Sequence, residues 1–190
     1  MTDLRRFPRR TLRGNRTLHR MHRAHHRPWW FSSDGSGRFD PVGTGLGACY
    51  LAEEPLGAWV ESYRKAMKIS EADIADRRLV AVALGRDLRL ADVTSRRALA
   101  FGVTAAVGAG EDYRPSQQFA RDAISAGFGG VRYHFSHDPA QGLHGVALFA
   151  PAGEPAPADP DWPVALGTVA SAHLIAEAAR RFGYAVLPIP

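Results

Sequence analysis

Ser136-His137-Asp138 places a nucleophile, a base and an orienting acid in three consecutive positions. Neighbours on a strand point to opposite faces, so three in a row cannot line up for proton transfer. Gly43-x-Gly45-x-Gly47 offers a glycine loop for a pyrophosphate. That chemistry needs a strand before the loop and a helix N-terminus after it. Here the glycines lead into an apolar run, and no lysine follows to make a phosphate loop. His19, His22, His25 and His26 have side chains that ligate metals, but no cysteine or carboxylate joins them and their neighbours are arginines. No metal site is expected there. Cys49, the single cysteine, lies within the apolar residues 48–52, where packing is the expected role. It also excludes an internal disulfide and a cysteine-based zinc finger.

Four segments are harder to explain as scaffold. They are Leu18-His19-Arg20; Ser36-Gly37-Arg38-Phe39-Asp40-Pro41; Tyr50-Leu51-Ala52, with Glu61 eleven residues after the tyrosine; and Gly127-Phe128-Gly129-Gly130-Val131-Arg132-Tyr133-His134-Phe135-Ser136. Read residue by residue, each has a plain alternative. Arg20 reads as a surface strand arginine, Arg38 as a solvated turn arginine, and Tyr50 as a core aromatic. Glu61 reads as a helix glutamate paired with Arg64 or Lys65 at i+3 and i+4. Ser136 reads as a serine at a strand end.

The elements that must position these residues are visible in the pattern. Residues 17–23 alternate apolar and basic, which predicts a strand with one face inward. Trp29-Trp30-Phe31 is an aromatic cluster, and residues 32–37 have the composition of a turn. Residues 48–52 read as a short buried strand. Pro55 opens a helix in which Leu56, Trp59, Val60, Tyr63 and Met67 form one apolar stripe. Strands are expected at 79–84, 88–93, 131–135, 143–149 and 184–189, and helices at 115–126 and 170–181, closed by Gly127 and Gly183. Five prolines mark residues 151–163 as a surface loop. Strands dominate and helices intervene irregularly, so the expected class is α+β with a mixed or antiparallel β core.

Composition bounds the rest. Hydrophobic residues make up 45% of the chain and charged residues 23%, ordinary for a globular protein. At this length one compact domain is expected, burying roughly 70% of its unfolded surface without metal or disulfide. No apolar run reaches about 18 residues, and no apolar segment follows the N-terminal charges, so no membrane span or secretory signal is expected and the chain reads as cytoplasmic. Residues 1–30 hold nine arginines against Asp3, a charge of +8, while the other 15 basic and 18 acidic groups leave −3. Such an arm suits nucleic acid, an acidic partner or a polyanionic small molecule. Residues 1–15 are expected to form a poorly ordered basic leader, with the domain proper at 16–190.

The four segments together, in order and spacing over about residues 17–150, resemble the RES-domain family, toxins of RES–Xre toxin–antitoxin pairs. The "GRFDP" and "GFGGVRYHFS" runs carry the resemblance. It implies a fold like that of diphtheria-toxin-type ADP-ribosyltransferases, with NAD+ as substrate rather than cofactor. The implied reaction is phosphorolysis or hydrolysis of the nicotinamide–ribose bond, with phosphate a candidate co-substrate and no other cofactor. It also implies an Xre-type helix-turn-helix antitoxin, through which any nucleic-acid contact would be indirect. By the same resemblance Arg20 and Arg38 would hold the pyrophosphate, whose oxygens match the guanidinium fork. Tyr50 would lie against the nicotinamide or its ribose. Glu61 would steady the positive charge that grows on the ribose as nicotinamide leaves. Ser136 would hydrogen-bond the substrate or orient Glu61.

Two other readings use parts of the same sequence. Transfer of ADP-ribose to a protein needs the same site and a different nucleophile. A nucleic-acid module would combine the arginine arm with stacking on Trp29-Trp30-Phe31.

Overall fold

The computed structural model describes residues 3–64 and 66–188. Lys65 and Ile189, named above as an ion-pair partner and a strand end, lie outside them. Nine strands are β1 (Arg9–Leu12), β2 (Leu18–Arg23), β3 (Leu46–Ala52), β4 (Lys68–Ser70), β5 (Arg77–Val82), β6 (Leu88–Asp92), β7 (Gly130–His134), β8 (His144–Pro151) and β9 (Ala185–Leu187). Five α-helices are α1 (Pro55–Tyr63), α2 (Glu71–Ala75), α3 (Ala105–Ala109), α4 (Arg114–Ser125) and α5 (Ala172–Phe182), with a 3-10 helix at Arg96–Phe101. Seven strands form one sheet in the order β1-β6-β7-β8-β3-β2-β5, and β4 pairs with β9 in a second. In the large sheet only β6 and β7 run parallel; every other pair is antiparallel. The fold is therefore α+β with a mixed sheet, as the alternation predicts.

Both faces of the sheet are covered. One carries the larger core, in which Trp59 and Val60 of α1, Phe119 and Ala120 of α4 and Leu174 of α5 cluster with residues of β3 and β7. The other is smaller and is closed by Trp29, Phe31 and Trp162, whose rings meet edge to face. Because Trp29 and Phe31 are buried there, only Trp30 of the expected aromatic cluster is exposed, and a three-ring stacking surface does not form. Cys49 lies in this second core, as its apolar neighbours predict.

The expectation of a poorly ordered leader is corrected. Leu4 and Phe7 are buried, and the Phe7 ring packs against Phe101, Phe119 and Phe128. Residues 9–12 are the edge strand β1, in register with β6 from Arg9–Ala91 to Leu12–Leu88. The apolar stripe of α1 is also shorter than its spacing predicts. The helix ends at Tyr63, and Met67 is exposed beyond it. The expected buried strand at 79–84 is the half-buried β5, because it forms the other edge of the sheet.

On the second face Arg132 forms a buried network. It donates to Glu53 at 2.6 Å and to Thr94 Oγ1 at 2.7 Å, with Asp92 at 3.7 Å. Burial alone would raise the Glu53 carboxyl, but the hydrogen bond and charge of Arg132, with the charges of Arg16 and Arg10, offset it and hold the group below its usual range. No helix among the described residues is long and apolar enough to cross a membrane.

Candidate active site

β2 and β3 share one registered pair, His19 with Ala52. Towards the start of β3 its neighbour is instead Ser32, bridged to Ala48. On the helix-covered face beside this split lies a cavity of about 400 Å³, within the range of small-molecule sites. Arg38, Tyr50, Glu61, Arg64, Tyr133 and Ser136 all line it. Four of the five residues singled out from sequence thus meet across a turn, a strand, a helix and a loop.

Arg20 does not line the cavity. Its register partner is Val80, a residue of the second core, so β2 turns its side chain to the face opposite Tyr50. Its guanidinium donates to the Pro28 carbonyl. The structure therefore does not bring Arg20 together with the other four at this cavity.

The turn carrying Arg38 is built around Asp40. This carboxylate is fully buried and accepts from the Gly37 N–H at 2.9 Å, the Ser32 hydroxyl at 3.0 Å and the Tyr50 hydroxyl at 2.8 Å. The Tyr50 hydroxyl in turn accepts from the Phe39 N–H at 2.8 Å. The Tyr50 hydroxyl is therefore committed to the turn, and it is the ring that borders the cavity. Burial and the adjacent Asp40 charge push this phenol well above its ordinary pKa. A side chain at position 37 would collide with both Asp40 and Tyr50, which is why glycine stands there. From α4, the Gln117 amide clamps the turn by donating to the carbonyls of Gly35 and Gly37. Arg38 is held by the Gly110 carbonyl at 2.7 Å, and its guanidinium lies 4.7 Å from the centre of the Tyr113 ring.

Glu61 comes from α1, whose approach to the sheet depends on Gly57. A Cβ there would lie 2.8 Å from the Phe135 ring and 3.1 Å from the Ala52 methyl. Glu61 accepts from Arg64 one turn on, as the i+3 spacing predicts. Its side chain is 24% exposed, yet the carboxylate is enclosed enough that burial raises its pKa despite the charges of Arg64 and Arg38. A desolvated carboxylate beside two guanidiniums is poised to hold a cationic centre on a ligand that also carries anionic groups.

Tyr133 is only 4% exposed, and its hydroxyl has no hydrogen-bond partner among the described residues. Its ring lies between Phe39 and Phe135. Its hydroxyl end occupies the lane left by Gly145 on β8, where a Cβ would meet Cζ at 2.6 Å and the hydroxyl at 2.7 Å. Gly145→Ala should therefore displace the phenol and cost about 1–3 kcal/mol. A thermal melt of the variant at the wild-type temperature would contradict this packing.

Ser136 lies past the end of β7, exposed at the cavity rim and within 3.1 Å of His137 Nδ1. Asp138 turns away to accept from the N–H groups of Ala140 and Leu143, so the three residues do not form a relay. Sequence reasoning passed over Asp40 and Tyr133 as site residues. Both stood inside quoted motifs, but the burial that sets them apart is not visible in the sequence.

The model of the RES domain matches residues 17–167. The chain belongs to the RES-domain family. The match takes in the Arg38 turn, α1 and the loop after β7, but not the β1 edge strand. No curated protein sequence matches the chain. Among solved structures, the crystal structure of the M. tuberculosis MbcT-MbcA toxin-antitoxin complex is similar, with a TM-score of 0.64 and 21% identity. The alignment covers 88% of this RES-domain chain and 90% of that chain, and shows a shared fold.

Proposed function

We propose that this RES-domain protein is the toxin of a toxin–antitoxin pair and that it cleaves the nicotinamide–ribose bond of NAD+. The observation that carries the reading is the desolvated Glu61 carboxylate, set in a cavity with Arg38 and Arg64. NAD+ presents matching charges: a pyridinium that leaves positive charge on its ribose, and a pyrophosphate that seeks guanidinium donors. Glu61 faces the ribose and stabilises the oxocarbenium-like transition state as the C–N bond breaks and nicotinamide departs with the electron pair. Arg38 and Arg64 hold the pyrophosphate, the Tyr50 ring flanks the nicotinamide side, and Ser136 contacts the substrate at the rim. Phosphate or water then adds to the ribose carbon, giving phosphorylated or free ADP-ribose, and water also releases a proton.

The antitoxin is a separate chain of the helix-turn-helix kind, which silences the toxin in the cytoplasm by binding it. The fold shared with a toxin of a toxin–antitoxin complex supports that partner. Purified toxin given NAD+ labelled in the adenosine half, with and without phosphate, is expected to yield free labelled ADP-ribose or its phosphorylated form. Label fixed to protein would point instead to ADP-ribose transfer, and unchanged NAD+ would contradict the reading.

A further inference from the structure

A buried phenol that has no partner among the described residues and lines a cavity is left to bond whatever enters that cavity. Tyr133 is such a group. Phe39 and Phe135 wall its ring, and Gly145 keeps the lane beneath its hydroxyl end clear. In the sheet Tyr133 faces Gly145, and Gly145 faces Ala52, the residue α1 approaches through Gly57. The hydroxyl therefore lies on the side of the cavity where Glu61 stands, and the charges of Glu61, Arg64 and Arg38 all act on it. Tyr50 differs, because its hydroxyl is already satisfied by Asp40 and Phe39.

A protonated phenol donates and a carboxylate accepts. Side by side they complement a vicinal diol, whose hydroxyls both donate and accept. We propose that Tyr133 is a substrate-contacting residue whose hydroxyl donates to one ribose hydroxyl of the dinucleotide while Glu61 accepts from the other. The inference rests on the NAD+ reading and adds a sugar-reading pair to it. A site built to pair a hydroxyl rejects an analogue that lacks it, because its own polar group is then left bare.

Tyr133→Phe removes only the oxygen. It should lower kcat/KM for NAD+ by about 5- to 100-fold, the cost of one such contact. Wild type should disfavour one of the two analogues lacking the 2′- or 3′-hydroxyl of the nicotinamide ribose, and the variant should lose that preference. Because the hydroxyl bonds to nothing among the described residues, the variant should melt at or above the wild-type temperature. Undiminished activity in the variant, an unchanged preference, or a melting temperature lowered by several degrees would each overturn the contact. Calorimetric titration with ADP-ribose separates this from the reading beneath it. A wild type that binds ADP-ribose more tightly than Tyr133→Phe but spares NAD+ keeps the contact and loses the reaction. A wild type that does neither overturns both.

Discussion

Glu61→Gln should slow nicotinamide release from NAD+ by about 10²- to 10³-fold, the usual loss when one transition-state electrostatic contact is removed. The glutamine keeps the size and the half-buried position of the side chain but cannot match the positive charge that develops on the ribose. Burial raises the Glu61 pKa although Arg64 and Arg38 lower it, so the wild-type rate should fall on acidification at a higher pH than an ordinary glutamate would give. The variant should lack that acid limb. Stability moves the opposite way. A group whose folded pKa is raised contributes fully below its unfolded value and loses that contribution as pH rises through the folded value. The difference in melting temperature between Glu61→Gln and wild type should therefore shift in the variant's favour from pH 4 to pH 7. Full activity in the variant would remove Glu61 from the chemistry, and a pH-independent difference would mean its carboxylate is solvated like any surface acid.

The second large effect concerns a residue that touches no ligand in this account. Asp40→Ala should destabilise the protein by about 3 kcal/mol, since it strands the Gly37 N–H and the Tyr50 hydroxyl together and leaves Ser32 only the Asp34 carboxylate. For a chain of this length that corresponds to roughly 6–12 °C in melting temperature. Nicotinamide release should fall as well, because the turn that aims Arg38 loses its anchor. Asp40→Asn keeps one acceptor oxygen and should lie between alanine and wild type on both scales. Equal melting temperatures for Asp40→Ala and wild type would show that the Gln117 clamp alone holds the turn.

Much of the scaffold was legible because it obeys simple periods. The alternation in β7 and the apolar spacing of α1 and α4 predicted those elements, and Gly127 and Gly183 close their helices with positive φ. β1 escaped because Arg-Arg-Thr-Leu is an edge strand with one buried side chain, too short and too polar to show a period. The face of Arg20 was not legible for a related reason. Both faces of the sheet are buried, so Leu18 and Met21 point to different cores, and alternation cannot tell which core borders the cavity. The site was legible as a set of residue types at familiar intervals. The roles of Asp40 and Tyr133 were not, because a saturated carboxylate and a bare hydroxyl are properties of packing in three dimensions rather than of spacing along a chain.

On the proposed reading, this cavity holds the nicotinamide ribose of NAD+ against Glu61. A crystal structure of the protein with a non-cleavable carbocyclic NAD+ analogue bound would decide this. The ribose-like ring should lie within about 3 Å of the Glu61 carboxylate, with the pyrophosphate on Arg38 and Arg64. An analogue bound elsewhere on the chain, with Glu61 still paired only to Arg64, would contradict it.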